Sequence, residues 1–493
     1  MKNILYIILS FQCIILSAQT NKKIEILSAD STLANSIKHP DYLRLINNVA
    51  FKHNNTLMYC DSAYHYLNKN KIIAFGKVIV NKGDSIKLTG KKLSYFSADN
   101  KAEIIGNVIL IDKYITLSTE KIIYNLSNNI AIYPSEGTII DDVKSIKSLR
   151  GEYYANSHNF IFTDSVTISG KDYEIFTDNM HYNSKNEIAF FFGPTIIISE
   201  KNKIYCENGW YNTKTNISKF YNNSYIISDN LKLIGDSIFY NKDIGYGQAF
   251  GNIQIIDTVD NITIFGNLAE YFVNEEYFVV SEKPLSQILD ENDTIITTAN
   301  KFIFHQKKNK QRLIAYNNVN LYQLEIQAKC DSMCYHISAS RIELFSFPVL
   351  WIDNFQITAD SIDIFINKKR IKKMFLRPNP IIISQVDTND YNQIKGNIMY
   401  AYFNKNLLSK IDIKGNGESI FILTDENTND RIGLNNTKCS NMSLYFKQNK
   451  LESINYKLKP NSITIPYLEI ENKHRYLSGF NWRESERKKR SDF

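Results

Sequence analysis

Ile86-Lys-Leu88-Thr-Gly90-Lys-Lys-Leu93-Ser-Tyr95 is the stretch whose reading decides the fold. Ile86 and Leu88 stand two apart, as do Leu93 and Tyr95, and charged or hydroxyl residues fall between them. Alternation with a period of two is the mark of a β-strand with one face turned to an apolar interior. The same frame returns at Ile115-Thr-Leu117-Ser-Thr119-Glu-Lys-Ile122-Ile-Tyr124, at Leu231-Lys-Leu233-Ile-Gly235-Asp-Ser-Ile238-Phe-Tyr240 and at Ile262-Thr-Ile264-Phe-Gly266-Asn-Leu-Ala269-Glu-Tyr271. A partner segment of the form Ala102, Ile104, Gly106, Val108, Leu110 follows, completing a unit of about 30 residues, a length typical of repeat architectures. Each unit of such an array buries its apolar face against its neighbours. The expected fold is all-β, with repeated antiparallel strands in an elongated sheet.

Within the stretch, Leu88 and Leu93 lie five apart, and an odd step moves the apolar set to the opposite face of a strand. The same step separates Leu117 from Ile122, Leu233 from Ile238 and Ile264 from Ala269. A bulge or corner at the small and acidic residues between them absorbs the flip. Repeated at one place, such corners fold each strand into two arms around a single apolar interior. Asn68-Lys-Asn70, Ala98-Asp-Asn100, Ser184-Lys-Asn186 and Lys307-Lys-Asn309 fit the hairpin turns between strands.

Composition agrees: 31 Tyr, 28 Phe and only 9 Pro suit strands, and no useful run of helical periodicity is present. Lys2, the apolar run 4–16 and Ser17-Ala18 read as a cleaved signal peptide over residues 1–18. The run is too short for the roughly 20 residues of a spanning helix, the rival reading. The mature protein is therefore expected to be exported. The net charge of +7 is spread along the chain except at the tail 483–493, which contains Arg487-Lys-Lys-Arg490. That tail reads as a solvated end, with acidic lipid or a partner as the other reading. No aromatic-interleaved basic patch supports nucleic-acid binding.

Beyond the leader the cysteines are Cys60, Cys206, Cys330, Cys334 and Cys439, widely spaced and odd in number, which is not a disulfide framework. Cys60, Cys206 and Cys330 occupy the small slot before the acidic position of the unit and read as buried fillers. Cys330 and Cys334 would lie about 13 Å apart along a straight strand, so they pair only if the chain bends sharply between them. The eight histidines are scattered, and no HExxH, GxSxG or phosphate-binding loop occurs. The Asp-Ser pairs at Asp61, Asp236, Asp331 and Asp360 recur at one repeat position and read as corner residues. Asp290-Glu-Asn-Asp293 lacks the ligand spacing of a calcium loop, and Gly415-Asn-Gly417 reads as a tight turn. Neither catalysis, a cofactor nor a metal site is expected.

The units Cys60-Asp-Ser-Ala63-Tyr, Gly235-Asp-Ser-Ile238-Phe-Tyr240 and Ala359-Asp-Ser-Ile362 resemble OstA/LptA-type repeats. Tyr391-Asn-Gln-Ile-Lys-Gly396, Gly415-Asn-Gly-Glu-Ser419, Lys438-Cys-Ser-Asn-Met442 and Gly479-Phe-Asn-Trp482 are similar to the later part of long OstA-like proteins. The resemblance covers nearly the whole mature chain, which is far longer than the short bridge protein and lacks the barrel half of the outer-membrane member. It implies an open β-jellyroll, or β-taco, whose cleft carries lipopolysaccharide or lipid A acyl chains toward the outer membrane. It also implies a place in the periplasm, associated with the outer membrane, and partners that are other jellyroll-type transport proteins and the outer-membrane assembly complex.

On that implication the lipid-contact residues are Ile86, Leu88, Leu93, Tyr95, Ile104, Val108, Leu110, Ile115 and Leu117. An acyl methylene left in water costs about 0.8 kcal/mol, which a continuous apolar groove would spare. Unpaired terminal strands would dock partners by strand addition. The N-terminal candidate edge is 23–27 with 49–52, marked by Val49 and Phe51. The C-terminal one is 463–470, blunted by Pro466. The pattern divides into repeats over 22–290, continuing repeats over 291–390 and a C-terminal β section over 391–482. Two other readings stay open: a structural envelope protein with a filled core that bridges partners without lipid, and a carbohydrate-active parallel β-helix, which would need a carboxylate cluster on one face.

Overall fold

The computed structural model describes residues 23–35, 37–83, 86–140, 144–200, 202–289, 294–307, 309–367, 370–405, 407–425, 428 and 430–493. The expected leader and the stretch 290–293 lie outside them. The chain forms two compact units, Met1–Phe192 and Gly193–Phe493. Both are built of antiparallel strands.

In the first unit, strands His39–His53, Thr56–Tyr66, Lys71–Lys82, Ile86–Phe96, Lys101–Ile111 and Thr116–Asn125 pair in chain order. Each pairing slips at mid-strand, as between Phe75 and Val78 opposite Lys92 and Gly90. The slip falls where consecutive residues take positive φ: Asn47 and Asn48, Gly76 and Lys77, Gly106 and Asn107. Asn and Gly tolerate this left-handed region where branched residues do not. Two such residues in succession bend the strand and restore the apolar set to the interior. The sheet is thereby creased into a first arm (71–75, 92–96, 101–105) and a second arm (78–82, 86–90, 108–111).

The acidic residue of the repeat has a role at this crease. In the second unit the Asn252 amide donates to Asp236 at 2.9 Å, and Asn223 donates to Glu207 at 2.8 Å. Asn379 donates to Asp360 at 3.2 Å. A Cβ on Gly251 would lie 2.2 Å from the Asp236 carboxylate, and one on Gly76 would lie 2.3 Å from that of Asp61. The Asp-Ser pairs at these positions are corner locks, as their recurrence implied. Gly415 and Asn416 belong to the same class of corner, inside strand Leu407–Thr424, rather than to a tight turn between strands.

Hairpin ends are equally repetitive. Tyr95, Tyr124 and Tyr211 each donate to the Asn five residues on (Asn100, Asn129, Asn216), which has positive φ. Asn125, Asn183 and Asn212 accept backbone N–H groups two and three residues ahead, fixing the turn.

After Asn125 the two arms separate. The first continues as Ile130–Tyr133 and Arg150–Tyr154, the second as Gly137–Ile140 and Ser145–Ser148, and both rejoin on Asn159–Ser169. Pro134 stands at the crease between Tyr133 and Gly137. Lacking an N–H, proline cannot continue the ladder, so the strand breaks into halves there.

The second unit repeats the plan. Strands from Asn202 to Phe272 pair in chain order, the arms part beyond Phe272 with Pro284 at the break, and they rejoin on Arg312–Gln323. They part again with Pro348 and with Pro378 and Pro380 at the breaks, and meet on Leu407–Thr424. Between the arms lies an interior of Ile, Leu, Phe, Val and Met.

The segment after Pro466 departs from the expectation of a free, solvated end. It runs over the outside of the second arm, where Gln393 donates to the Arg475 carbonyl at 2.7 Å and accepts from Leu477 N–H at 2.8 Å. Gln356 likewise donates to the Asn481 carbonyl at 2.7 Å and accepts from Arg483 N–H at 2.6 Å. Arg487 donates to Gln327, and Lys329 pairs with Glu486 at 2.7 Å. Gln356, Gln393 and Trp351 are buried on this outer side, and Lys488, Lys489 and Arg490 remain exposed. The buried amides provide the reason: each needs main-chain partners, and the terminal segment supplies them.

Candidate functional site

Ile86, Leu88, Leu93, Tyr95, Ile104, Val108, Leu110, Ile115 and Leu117 all point into the first unit, the most exposed being Ile86 at 7 %. The intervening Lys87 is exposed. The corner makes this possible, because Leu88 and Leu93 are of opposite parity and reach the same interior only through the crease. Here the interior is filled with side chains, continued by stacked Tyr153, Phe160 and Phe162 with centroids 4.2 and 5.3 Å apart.

The side opposite the crease, where the arms' free ends meet, is laced by polar bridges. His53 of the second arm shares a hydrogen bond with Tyr95 of the first. Lys82 donates to the Leu126 carbonyl and to Asn129. Tyr153 donates to Asp112, Lys144 pairs with Glu187 at 3.3 Å, and Tyr114 packs edge-on to His158 at 4.8 Å. The hydrogen-bonded partners are 41 to 47 residues apart, so each bridge joins an end of one arm to an end of the other. Burial lowers the Lys82 ammonium below its ordinary value, and burial followed by the Asp112 carboxylate raises the Tyr153 hydroxyl. The sequence reading missed this lacing, and the strand-end position gives no signal for it, being polar in both units: His53, Lys82 and Asp112 in the first, Ser228, Asp257 and Gln323 in the second.

His65 lies inside the same end, buried beside Phe51 with ring centroids 5.8 Å apart. Burial holds its imidazole below the ordinary 6.5. A group with a lowered folded pKa stabilises the fold fully above the unfolded value, and that contribution is lost as the pH falls below it toward the folded pKa. Acidification through 6.5 is therefore expected to loosen the strand pair His39–His53 and Thr56–Tyr66. Amide protection in these strands, referred to the intrinsic exchange rate at each pH, should fall between about pH 7.5 and about pH 5, and His65→Leu should flatten that fall.

The second unit differs at the same place. Among the described residues, cavities open between its arm ends, two of them lined largely by Ile, Leu and Tyr. One of about 280 Å³ is lined by Ile204, Ile226, Leu231, Leu233, Tyr240 and Tyr271, with Asp229 and Glu276 among its polar residues. The other, of about 240 Å³, is lined by Ile288, Ile295, Tyr335, Ile337, Ile366 and Ile371, with Asp260 beside them. Leu231, Leu233, Ile288 and Ile366 are half-buried, unlike their fully covered equivalents Leu88 and Leu117.

The edge residues fall one strand inside the place expected of them. Val49 and Phe51 belong to a strand paired on both sides, with Thr56–Tyr66 and with Glu25–Ser28. Among the described residues the exposed N-terminal edge is formed by Glu25–Ser28 and Ser31–Asn35, because these two strands fold back onto the strand His39–His53. At the other end, Asn461–Pro466 pairs with Arg431–Lys447, and Ile463 is exposed.

The five cysteines among the described residues are buried and free, and burial pushes the thiols of Cys60, Cys206 and Cys330 up to about 12, as suits packing rather than chemistry. Among the described residues, one cluster holds three side chains of metal-ligand type, Cys334, His336 and Glu343.

Residues 21–178 and 171–236 match the model of a family described as OstA-like protein. Among solved structures the chain is similar to LptH of Pseudomonas aeruginosa, the LptA-homologous periplasmic component of a lipopolysaccharide transport device. The identity is 11 % and the TM-score 0.14, over 35 % of this chain and 83 % of that one. No curated protein matches.

Proposed function

Taking the chain as an OstA-like protein, the family that its residues 21–236 match, we propose that it is a non-enzymatic periplasmic carrier of lipopolysaccharide-class lipids. Acyl chains lie between the two arms, and the protein bridges other jellyroll-type components on the way to the outer membrane. The observation that carries this reading is the pair of apolar openings at the arm ends of the second unit, lined by Ile, Leu and Tyr. An acyl chain laid there is removed from water without any chemically special site. Polar residues, among them Asp229, Glu276 and Asp260, line the same openings and would lie beside the lipid's polar part.

In the first unit the proposed contact residues meet lipid only when the polar lacing parts. The filled interior there favours a second reading for that unit, a structural spacer that holds no lipid. Its exposed N-terminal strands Glu25–Ser28 and Ser31–Asn35 offer unpaired backbone groups to a partner's strand.

Mass spectrometry of lipid co-purified from the native envelope tests the carrier reading. Lipid A-bearing species at defined stoichiometry support it. A lipid-free protein, or phospholipid in the proportions of the surrounding membrane, contradicts it.

A further inference from the structure

We propose that Cys334, His336 and Glu343 form a binding site for one divalent transition-metal ion of the zinc type. Their ligand atoms, Sγ, Nε2 and a carboxylate oxygen, all lie within 4.8 Å of one another. The register brings them together: Cys334 stands directly opposite Glu343 on adjacent strands, and His336 is two residues on along the same face.

Cys334 differs from the other cysteines of the repeat. Cys330 lies among the interior hydrophobes with Met333, whereas Cys334 has the opposite parity to Met333 and faces outward with His336. Packing of the interior gives no reason for a thiol there. Its sulfur is instead 3.4 Å from His336 Nε2, near the spacing of two ligands around a tetrahedral Zn²⁺ with bonds of about 2.3 and 2.0 Å. Glu343 Oε2 lies 2.6 Å from the same nitrogen, so a bound ion requires this one oxygen to draw back by less than about 1 Å.

The other carboxylate oxygen is held by Arg341, the kind of supporting contact that orients a ligating carboxylate. Arg312 opposite His336, Asp363 opposite Glu343 and Arg377 on Asp363 complete the charged surroundings. A thiolate and a carboxylate balance the ion's two charges. On binding, the thiol proton leaves to solvent, and the imidazole presents Nε2 with its own proton on Nδ1. One thiolate, one imidazole and one carboxylate suit zinc over magnesium or calcium, and leave a fourth position for water.

The test uses the full mature chain, stripped with chelator and reduced, then titrated with Zn²⁺ and with Co²⁺ as a coloured probe. One equivalent of each is expected, and the cobalt complex should show a thiolate charge-transfer band. Cys334→Ser and Glu343→Gln should each abolish the stoichiometric binding with the strand circular dichroism unchanged. Cys60→Ala should keep it, and Arg341→Gln should weaken it roughly 10- to 100-fold. Binding of less than one equivalent, or binding that survives Cys334→Ser, overturns the proposal and leaves the cluster as an ion pair of Glu343 with Arg341 and His336. If both ligand variants lose their fold, the missing charge-transfer band in cobalt-loaded wild type decides against the site, and its presence decides for it.

Discussion

Aspartate at Leu110 is expected to unfold the first unit locally, whereas aspartate at Ile109 leaves it intact. Leu110 is fully buried, between Leu88 on one neighbouring strand and Leu117 on the other, while Ile109 is 37 % exposed on the outer face. The substitution at 110 removes a buried side chain worth about 1.5–3 kcal/mol. It also places a carboxylate where no partner can reach it, so the total cost is on the order of 4 kcal/mol or more. The substitution at 109 should stay within about 1 kcal/mol. Hydrogen exchange over Lys101–Ile111 and Thr116–Asn125 measures this locally, as suits a chain of two units. Similar protection in the two variants would refute the creased two-arm interior.

Removing residues 470–493 should have the second-largest effect. Gln356 and Gln393 are each 0 % exposed, and each gives and accepts a main-chain hydrogen bond with the terminal segment. Leu477 is buried with Ile420 and Leu434. Truncation uncovers these groups and the apolar face around Trp351, which is 1 % exposed. Each lost hydrogen bond is worth about 0.5–1.5 kcal/mol, and loss of the buried leucine adds about 1.5–3 kcal/mol. The second unit should therefore melt several degrees lower and self-associate. Trp482 leaves with the segment, so acrylamide quenching reads Trp210 and Trp351, and it should rise markedly. Unchanged quenching would mean that the segment does not cover this face.

The repeat was legible because its signals are local. Inward parity, the crease at the small-acidic step and the Asn-rich turns follow from alternation and from the tolerance of Asn and Gly for positive φ. The separation of the arms was only partly legible. Its marks are Pro134, Pro284, Pro348, Pro378 and Pro380, and the divisions of the pattern at 290 and 391 fall near some of them without giving the cause. The terminal strap was not legible at all. It has no periodicity, and its seat depends on Gln327, Gln356 and Gln393, which look like ordinary strand residues until distant chain brings them partners. The openness of the interior was likewise hidden, since Leu88 and Leu233 hold the same place in the repeat. They differ in what stands at the neighbouring arm ends: His53, Lys82 and Tyr153 bridge the arms beside Leu88, whereas a cavity opens beside Leu233.

The central claim, that the interior between the arms carries lipid, is tested most directly by site-specific photo-crosslinking in living cells. A photoreactive residue at Leu233, which lines the larger opening, should capture lipopolysaccharide, and one at the neighbouring Lys232, which packs 4.6 Å from the Tyr225 ring, should not. At Leu88 capture should be weak and should increase when Lys82→Met removes a bridge, while Lys87 stays silent. Equal capture at Leu233 and Lys232, or none at either, would contradict the account.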